Sequence, residues 1–282
     1  MIYIDNSATT KQYPQVTETM VKYMDEYFGN PSSMYQLGLD SEKAVKQARK
    51  QVEQALGIGA GNLIFTSGGT EADNTAIFGA ARALRRRGNR IITSAVEHPA
   101  VLECCRRLEQ DGYEVIYIGV DEKCRLDLEQ LEDAIDENTI LVSMMQVNNE
   151  TGTILPVDRV KELMEKKHAP GWFHCDAVQS FGKLQVPEGA DLISVSSHKI
   201  HGPKGAGALF VRKGIHLPAL IEGGGQEGGN RSGTENVPAI AGFGTAAELS
   251  AKDRAEERER ISVMRRALLK GLQDNLEDLR IN

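Results

Sequence analysis

The sequence predicts an α/β protein with a mainly parallel sheet of seven strands flanked by helices. Short apolar runs alternate along the chain with longer amphipathic runs, and this alternation is typical of βαβ units. Several of the short runs are almost continuously hydrophobic, as expected for strands that are buried on both faces of a parallel sheet.

The elements follow one another in a regular order. The predicted strands are 63–66, 90–94, 115–120, 140–146, 172–176, 192–196 and 208–212. The predicted helices between them are 70–87, 100–111, 128–138 and 157–167. Before the sheet, residues 41–56 form an amphipathic helix that Gly57 ends. After the sheet, a long helix runs from Pro238 to about Leu279, with a charged middle typical of a helix that connects two domains.

Composition narrows the possible functions. The formal net charge of −7 argues against nucleic-acid binding, because neutralising phosphates needs clustered Lys and Arg. The densest basic run, residues 85–87, closes a predicted helix, and we interpret it as charge at a helix C-terminus. No run approaches the roughly 18 apolar residues of a membrane span, and the first residues lack the features of a signal peptide. Four cysteines without CxxC spacing predict reduced thiols in a cytoplasmic protein.

Polar motifs follow five of the predicted strands, where ligands bind to open parallel sheets. The first, residues 65–74 (FTSGGTEADN), enters a helix through a Gly-Gly-Thr turn. The N–H groups of such a turn can bind a phosphate, although an ordinary N-cap explains the motif equally well. The second, residues 97–100 (EHPA), places His98 between a strand and a helix. A structural or solvated histidine is the alternative there.

The third and fourth motifs place side chains that can hold a ring. Residues 146–153 (QVNNETGT) put two asparagines and a glutamate directly after an apolar run, either to bond a ligand or to form a turn. Residues 174–180 (HCDAVQS) end a strand at Asp176. A carboxylate there suits a pyridinium nitrogen, because the ion pair keeps the ring protonated. An N-cap aspartate is the alternative.

The fifth motif carries a lysine. Lys199, in residues 194–205 (SVSSHKIHGPKG), follows a buried strand and precedes a Gly-Pro turn. Desolvation disfavours the charged form of a lysine, so that its amine can act as a nucleophile or a base. An ordinary surface lysine is the alternative, but the two histidines, two serines and rigid turn around Lys199 argue against it.

In combination these motifs resemble the cysteine desulfurases, members of the class V aminotransferase group of fold-type I enzymes that depend on pyridoxal 5'-phosphate (PLP). The resemblance extends from residue 2 to about residue 275. Its motifs are DNSATT (5–10), GNPSSMYQLG (29–38), TSGGTEADN (66–74), EHPA (97–100), NNETGT (148–153), HCDAVQ (174–179), SSHKIHGPKG (196–205) and RSGTENVP (231–238). The resemblance implies conversion of L-cysteine to L-alanine, with the sulfur passed to an enzyme cysteine as a persulfide for iron–sulfur cluster or thio-cofactor synthesis.

The resemblance also implies a role for each matching position. Lys199 would carry PLP as a Schiff base and move protons at the substrate carbon. Asp176 would pair with the pyridine nitrogen. His98 would stack on the ring and assist proton transfer. The two predicted catalytic residues are therefore Lys199 and His98.

Further positions would hold the rest of the cofactor. Asn149 and Gln179 would bond the ring hydroxyl, and Asn149 would also meet the substrate carboxylate. Four residues would hold the phosphate: Gly69, Thr70, Ser196 and His198. Thr234, in RSGT, would reach the phosphate of a neighbouring subunit, which predicts a homodimer with PLP near the interface.

One part of the family pattern has no counterpart. Cysteine desulfurases carry a catalytic cysteine, and an arginine for the substrate carboxylate, in a smaller C-terminal domain beyond the PLP lysine. Cys104 and Cys105 fall within a predicted helix, and Cys124 lies in a loop without a catalytic motif. Cys175 faces away from Asp176, because side chains alternate along a strand. We therefore expect a C-terminally truncated enzyme, inactive by itself, or a natural PLP domain that lacks the last chemical step.

The expected organisation has three parts. Residues 1–14 form an N-terminal segment that packs with the small domain, residues 15–255 form the large PLP-binding domain, and residues 256–282 form a connecting helix and the start of a truncated small domain. The expected partners are L-cysteine, a second copy of the chain and a sulfur-acceptor protein.

Three alternatives stay open at the level of sequence. One is another PLP-dependent lyase on the same scaffold, such as a selenocysteine lyase. A second is a non-catalytic PLP-binding scaffold protein. A metal site is the weakest, since it competes with a coherent PLP assignment for the same residues, and we expect none. Its ligands would come from His174, Cys175, Asp176, His198 and His201.

Overall fold

In the computed structural model, which describes residues 2–279, seven strands form one sheet. The strands are β1 (Gly61–Thr66), β2 (Arg90–Ser94), β3 (Glu114–Ile118), β4 (Thr139–Met145), β5 (Trp172–Asp176), β6 (Leu192–Ser196) and β7 (Gly207–Arg212). Their order across the sheet is β1-β7-β6-β5-β4-β2-β3. All pairs from β3 to β6 are parallel, whereas β7 runs antiparallel to both β1 and β6. The prediction of a mainly parallel seven-stranded sheet is confirmed.

Helices cover both faces of the sheet. They are α1 (Pro14–Asp25), α2 (Gln36–Leu56), α3 (Gly69–Leu84), α4 (Pro99–Gln110), α5 (Leu128–Ala134), α6 (Asp158–Lys166) and α7 (Val237–Asn275). Buried side chains of α3 and α4 pack on one face, and those of the other five helices pack on the opposite face. Side chains of β5 point alternately to the two faces of the sheet. Trp172 packs on the face covered by α3, whereas Phe173 and Cys175 pack in the core on the opposite face.

Helix α1 lies where the sequence pattern predicted no element. Pro14 occupies one of its first positions, where a missing N–H costs nothing. Val16 is fully buried, and Met20 and Tyr23 pack against the same core. These three apolar positions form a stripe too short to stand out from its polar surroundings.

Several helix ends differ from the predicted ones. Helix α5 ends at Ala134 rather than at residue 138, because the Asp136 carboxylate accepts hydrogen bonds from the Asn138 N–H at 2.9 Å and the Thr139 hydroxyl at 3.1 Å. Helix α3 ends at Leu84, so that residues 85–87 lie in the turn after the helix. Helix α2 begins at Gln36 rather than at residue 41.

Helix α7 is continuous over 39 residues. The Asn236 side chain caps it by accepting from the Ala239 N–H at 3.2 Å. Its first part, from Val237 to Ala247, packs against α1 and α2, and its charged second part is largely exposed. The helix crosses the predicted boundary at residue 255 without a break, and the division into domains stays a prediction. Residues 1 and 280–282 of that division lie outside the described residues. Between residues 2 and 279 no helix is long and apolar enough to cross a membrane.

Candidate active site

A cleft of about 490 Å³ opens at the carboxyl ends of the strands. All the predicted cofactor residues line it except Thr234. These are Gly69, Thr70, His98, Asn149, Asp176, Gln179, Ser196, His198 and Lys199. The parallel register of the central strands explains the convergence, since Met145, Asp176 and Ser194 are neighbours across β4, β5 and β6.

Lys199 reaches the cleft from the short 3₁₀ turn that follows β6. Its half-buried ammonium group donates hydrogen bonds to the backbone carbonyls of Ser7 and Ala8, the latter at 2.9 Å. Burial lowers the pKa of Lys199, and the attraction of Asp176 opposes that shift. A lowered pKa brings the amine closer to the neutral form that a nucleophile requires.

The N-terminal segment crosses the mouth of the cleft. Thr10 donates from its backbone N–H and from its hydroxyl to the His198 carbonyl, at 3.0 and 2.7 Å. The Tyr13 ring stacks on His201 with 4.3 Å between ring centroids. These contacts hold Ser7 next to Lys199, so the beginning of the chain is part of the site.

Asp176 ends β5 with its side chain buried, 6% of the residue being exposed. The Val178 N–H donates to one carboxylate oxygen at 2.9 Å. Burial raises the pKa of Asp176, while His98 and Lys199 act in the opposite direction. The Asp176 carboxyl group is therefore shielded from water by the sheet, and His98 and Lys199 favour its charged form from the side of the cleft.

The β1–α3 corner has the features of a phosphate site. Gly68 caps α3 without any side-chain hydrogen bond, so that the first N–H groups of the helix stay available to an anion. Gly69 allows a close approach, because a Cβ there would come within 2.7 Å of Val178. Among the described residues the Ser196 hydroxyl, 1% exposed, has no hydrogen-bond partner although it lies at the cleft. A buried hydroxyl of this kind fits a bound phosphate oxygen.

Two histidines also line the cleft. The ring of the exposed residue His98 caps α4, its Nδ1 accepting from the Ala100 N–H at 3.1 Å, so that Nε2 is the ring nitrogen left for other contacts. His198 Nδ1 lies 3.1 Å from the Thr9 hydroxyl. Burial, followed by the charge of Lys199, lowers the pKa of His198.

The two neighbouring asparagines have separate tasks. Asn148 is buried and builds the turn, since its Oδ1 accepts from the N–H groups of Glu150 and Thr151 at 3.0 and 2.9 Å. Asn149 lines the cleft and donates to the Glu150 carboxylate at 2.7 Å. Gln179 donates to the Ser7 carbonyl at 2.9 Å. Both amides predicted to contact the ring are thus within the cleft.

Asp73 is a cleft residue that the sequence analysis missed. It is 2% exposed, and its Oδ1 lacks a hydrogen-bond partner among the described residues. His174 Nε2 lies 3.6 Å from that oxygen, and burial lowers the pKa of His174 to about 3. Burial, reinforced by Asp176, raises the pKa of Asp73 well above its usual range. The signal available in sequence was the helical period, which turns the third residue after Thr70 toward the sheet.

Glu97 is a second buried acid, next to His98. Its carboxyl group accepts from the Ser94 hydroxyl at 2.5 Å and from the Met145 N–H at 2.9 and 3.0 Å. It therefore joins the ends of β2 and β4. Burial raises the pKa of Glu97 to about 8. Seven further residues that line the cleft were not predicted as site residues from the sequence: Asp5, Ser7, Ala8, Met145, Val147, Glu150 and Val178.

The cysteines lie away from this chemistry. All four are free and buried, and none lines the cleft. Burial raises the pKa of Cys104 and of Cys105 to about 12, and raises that of Cys175 as well. Cys175 packs in the core on the side of β5 opposite to Asp176. A thiol that is buried and protonated cannot attack sulfur in the cleft.

The candidate metal ligands are divided among different surroundings. His174 lies between the Ser143 and Ser194 hydroxyls at 2.8 and 2.9 Å, and His201 stacks on Tyr13. Residues 2–279 contain no group of three His, Cys, Asp or Glu arranged to hold a metal ion.

The family model for class V aminotransferases matches residues 2–282. This chain belongs to the class V aminotransferase family. Class V aminotransferases and the cysteine desulfurase relatives of this chain depend on PLP, and the fold is the fold-type I architecture. The residues at the cleft fit that cofactor, since an anion site, a carboxylate and a desolvated lysine are brought together.

This chain is similar over most of its length to a curated relative and to two solved structures. Cysteine desulfurase IscS of Clostridium botulinum is 43% identical over 284 residues, which cover 100% of this chain and 71% of the relative. A solved NifS-like protein superposes with a TM-score of 0.93 at 40% identity, covering 97% of this chain and 76% of the other. A structure described as SspA in complex with cysteine has a TM-score of 0.83 at 38% identity, covering 88% and 72%.

Proposed function

We propose that this chain is the PLP-binding part of a cysteine desulfurase. One observation carries the proposal: the Lys199 amine, the Asp176 carboxylate and the anion site at the start of α3 line a single cleft. The relatives named as cysteine desulfurases support L-cysteine as the substrate. They give no support to a selenocysteine lyase or to a non-catalytic scaffold.

The cleft residues would hold the cofactor at three points. The phosphate would take the free N–H groups at Gly69 and Thr70 together with the side chains of Ser196 and His198. Asp176 would pair with the ring nitrogen. His98 would stack on the ring, and Asn149 and Gln179 would bond its hydroxyl.

When bound, PLP supplies an electron sink that stabilises negative charge at the substrate Cα. Lys199 would remove the Cα proton of L-cysteine and return a proton during formation of alanine. Asn149 would orient the substrate carboxylate, and His98 would assist proton transfer through its Nε2. A thiolate must then take the sulfur, so that the C–S bond breaks as an S–S bond forms.

The enzyme would act as a homodimer, in which each chain completes the cofactor site of the other. Thr234 is exposed and lies outside its own cleft, where it could reach the phosphate of another subunit. We further propose that a sulfur-acceptor protein takes the persulfide sulfur, and that the enzyme works in the cytoplasm with its thiols reduced.

Borohydride reduction tests the central assignment. The purified chain should be yellow with bound PLP, and reduction should fix the cofactor to the peptide that contains Lys199. Lys199→Ala should abolish this label. Lys204→Ala is the matched control, since Lys204 lies in the same motif but outside the cleft lining, and it should label normally. Mass spectrometry that found the cofactor on any other lysine would refute the assignment.

A further inference from the structure

The segment 222–236 contains an unusual backbone conformation. Glu227 has φ of +51°, in the left-handed region that side chains other than glycine rarely occupy, and it precedes Gly228 and Gly229 at +64° and +85°. A third glycine would remove this strain. A residue held in such a conformation points to a task for its side chain.

The Glu227 side chain is 3% exposed and fully engaged. Its two carboxylate oxygens accept from the guanidinium group of Arg49, both at 2.8 Å. One of them also accepts from the Phe65 N–H at 3.0 Å. Two parallel charged hydrogen bonds of this kind fix position and orientation together.

This contact docks the segment on the free edge of the sheet. Within residues 2–279, strand β1 lies at the edge of the sheet and has β7 as its one neighbour, so that Leu63 and Phe65 have outward-facing backbone groups. Arg49 donates to the Leu63 carbonyl and its guanidinium lies 4.8 Å from the centre of the Phe65 ring. Arg49 and Glu227 therefore provide hydrogen-bond partners for the Leu63 carbonyl and the Phe65 N–H on the open edge of β1, and in this way they attach the segment to the sheet.

A second ion pair attaches the other end of the segment. Arg231 Nε lies 2.8 Å from the Glu71 carboxylate, which also accepts from the Ser67 N–H at 2.8 Å. Glu71 belongs to the first turn of α3, next to Thr70 at the cleft. The segment is thus tied to the corner that forms the anion site.

Internal hydrogen bonds stiffen the segment between these points. The Gly233 N–H donates to the Gln226 side chain at 2.8 Å, and the Ser232 N–H donates to the carbonyl of Ile221, the residue directly before the segment, at 3.1 Å. Ser232 is buried, whereas Gly233 and Thr234 directly after it are exposed. The held part of the segment therefore presents Thr234 to the outside.

We infer that Glu227, held by Arg49, is a positioning residue that presents Thr234 to the phosphate site of a second copy of this chain. The inference rests on the proposed homodimer and on the proposed cofactor site. It assigns to Glu227 an effect on the partner's cleft. Among the described residues its side chain contacts Arg49 on α2, the Phe65 N–H on β1 and the side chain of Glu235 in its own segment, and none of these lines its own cleft.

Mixed dimers separate the two clefts. Two differently tagged chains are co-expressed, one of them with Lys199→Ala, so that each purified dimer has one attachment site. Glu227→Gln is placed either on the chain that keeps Lys199 or on the chain that lacks it. PLP is removed, and its rebinding is followed by visible absorbance and by the label fixed with borohydride. Arg49→Gln, tested in the same two arrangements, removes the other partner of the pair and serves if Glu227→Gln folds poorly.

The expected result is an effect in trans. Glu227→Gln on the chain without Lys199 should weaken PLP binding at least about 10-fold, the size of a lost charged hydrogen bond. The same change on the chain that keeps Lys199 should leave binding unchanged. Glu114→Gln is the matched control, because Glu114 forms a similar two-point pair with Arg90 at 3.0 and 3.1 Å on β2 and β3.

Two outcomes would overturn the inference in distinguishable ways. Weaker binding only when Glu227→Gln lies on the Lys199 chain, or equal binding in both arrangements, would refute the positioning role and leave the proposed function intact. Recovery of PLP-loaded monomers alone would refute the proposed homodimer, and the positioning role with it.

Discussion

Three carboxyl groups are buried in or beside the cleft: Asp73 and Asp176 line it, and Glu97 directly precedes the cleft residue His98. Burial disfavours the anion at each, and Asp176 further raises the pKa of the other two. Asp176 differs because His98 and Lys199 stabilise its charged form. The arrangement favours one anion among the three, at the residue that would face the ring nitrogen.

Glu97 should therefore make stability depend on pH. Its pKa is about 8 in the folded protein against an ordinary value of 4.5, so the folded state binds the extra proton. The stabilisation is complete below about pH 4.5 and is lost as pH rises toward 8. Between pH 5 and 7 the loss should be up to about 3 kcal/mol.

Glu97→Gln should remove this dependence, because an amide does not titrate. Thermal unfolding at pH 5, 6, 7 and 8 measures it, with Glu103→Gln on the exposed face of α4 as the control. The wild type and the control should lose stability over this range more steeply than Glu97→Gln. Parallel curves for all three proteins would show that Glu97 is ionised in the folded state.

At the scale of elements, the contact between α2 and α7 depends on small residues. A Cβ at Gly244 would lie 2.6 Å from the Ala48 Cα and 2.5 Å from the Gln51 side chain. The two helices therefore approach more closely than alanine at that position would allow. This contact fixes the start of α7, directly after the segment that ends at residue 236.

Gly244→Ala should destabilise the protein by about 1–3 kcal/mol, because overpacking outweighs the better helix propensity of alanine. At Gly271, in the exposed part of the same helix, an added Cβ would meet no atom of the described residues within 4 Å, so Gly271→Ala should leave the protein equally stable or slightly more stable. Urea unfolding of both variants measures the difference. A stabilising effect of Gly244→Ala would show that the close approach does not limit packing.

At the scale of the whole molecule, the cleft brings together nine of the ten predicted cofactor residues but no thiol. The four cysteines of the chain are buried and none of them lines the cleft, although Cys175 directly precedes Asp176 on β5. Sulfur transfer from cysteine needs a thiolate within contact distance of the substrate sulfur. The matched part of the Clostridium botulinum relative amounts to 71% of its length, and the rest of that protein has no counterpart among these residues.

These 282 residues should therefore form little alanine from L-cysteine, and none of Cys104, Cys105, Cys124 and Cys175 should become a persulfide. Incubation with L-cysteine, an alanine assay and mass spectrometry of the cysteine peptides measure both. The intact Clostridium botulinum relative serves as the positive control. A persulfide on one of the four cysteines, or alanine at the rate of the control, would contradict the prediction.

Local pattern determined most of the elements of this protein and much of its site. Strands β2, β5 and β6 match the predicted runs residue for residue, because their hydrophobic stretches are bounded by polar motifs. The cleft residues were predictable because parallel strands bring their carboxyl ends to one edge, where Lys199, Asp176 and His98 all lie. The ends of helices were harder to predict where a side chain accepts a hydrogen bond from a nearby backbone N–H and so stabilises a turn, as Asp136 does after α5.

Only the tertiary structure decided the contacts between distant parts of the chain. In the folded chain β7 runs antiparallel to its neighbours and β1 lies at the edge of the sheet. Ser7 contacts Lys199, which is 192 residues away in sequence. Arg49 likewise contacts Glu227, which is 178 residues away. Periodicity reports which face of an element is buried but not what covers it. Which distant residues come into contact depends on how the elements pack and on the charges they bring together, and a local sequence pattern contains no information about either.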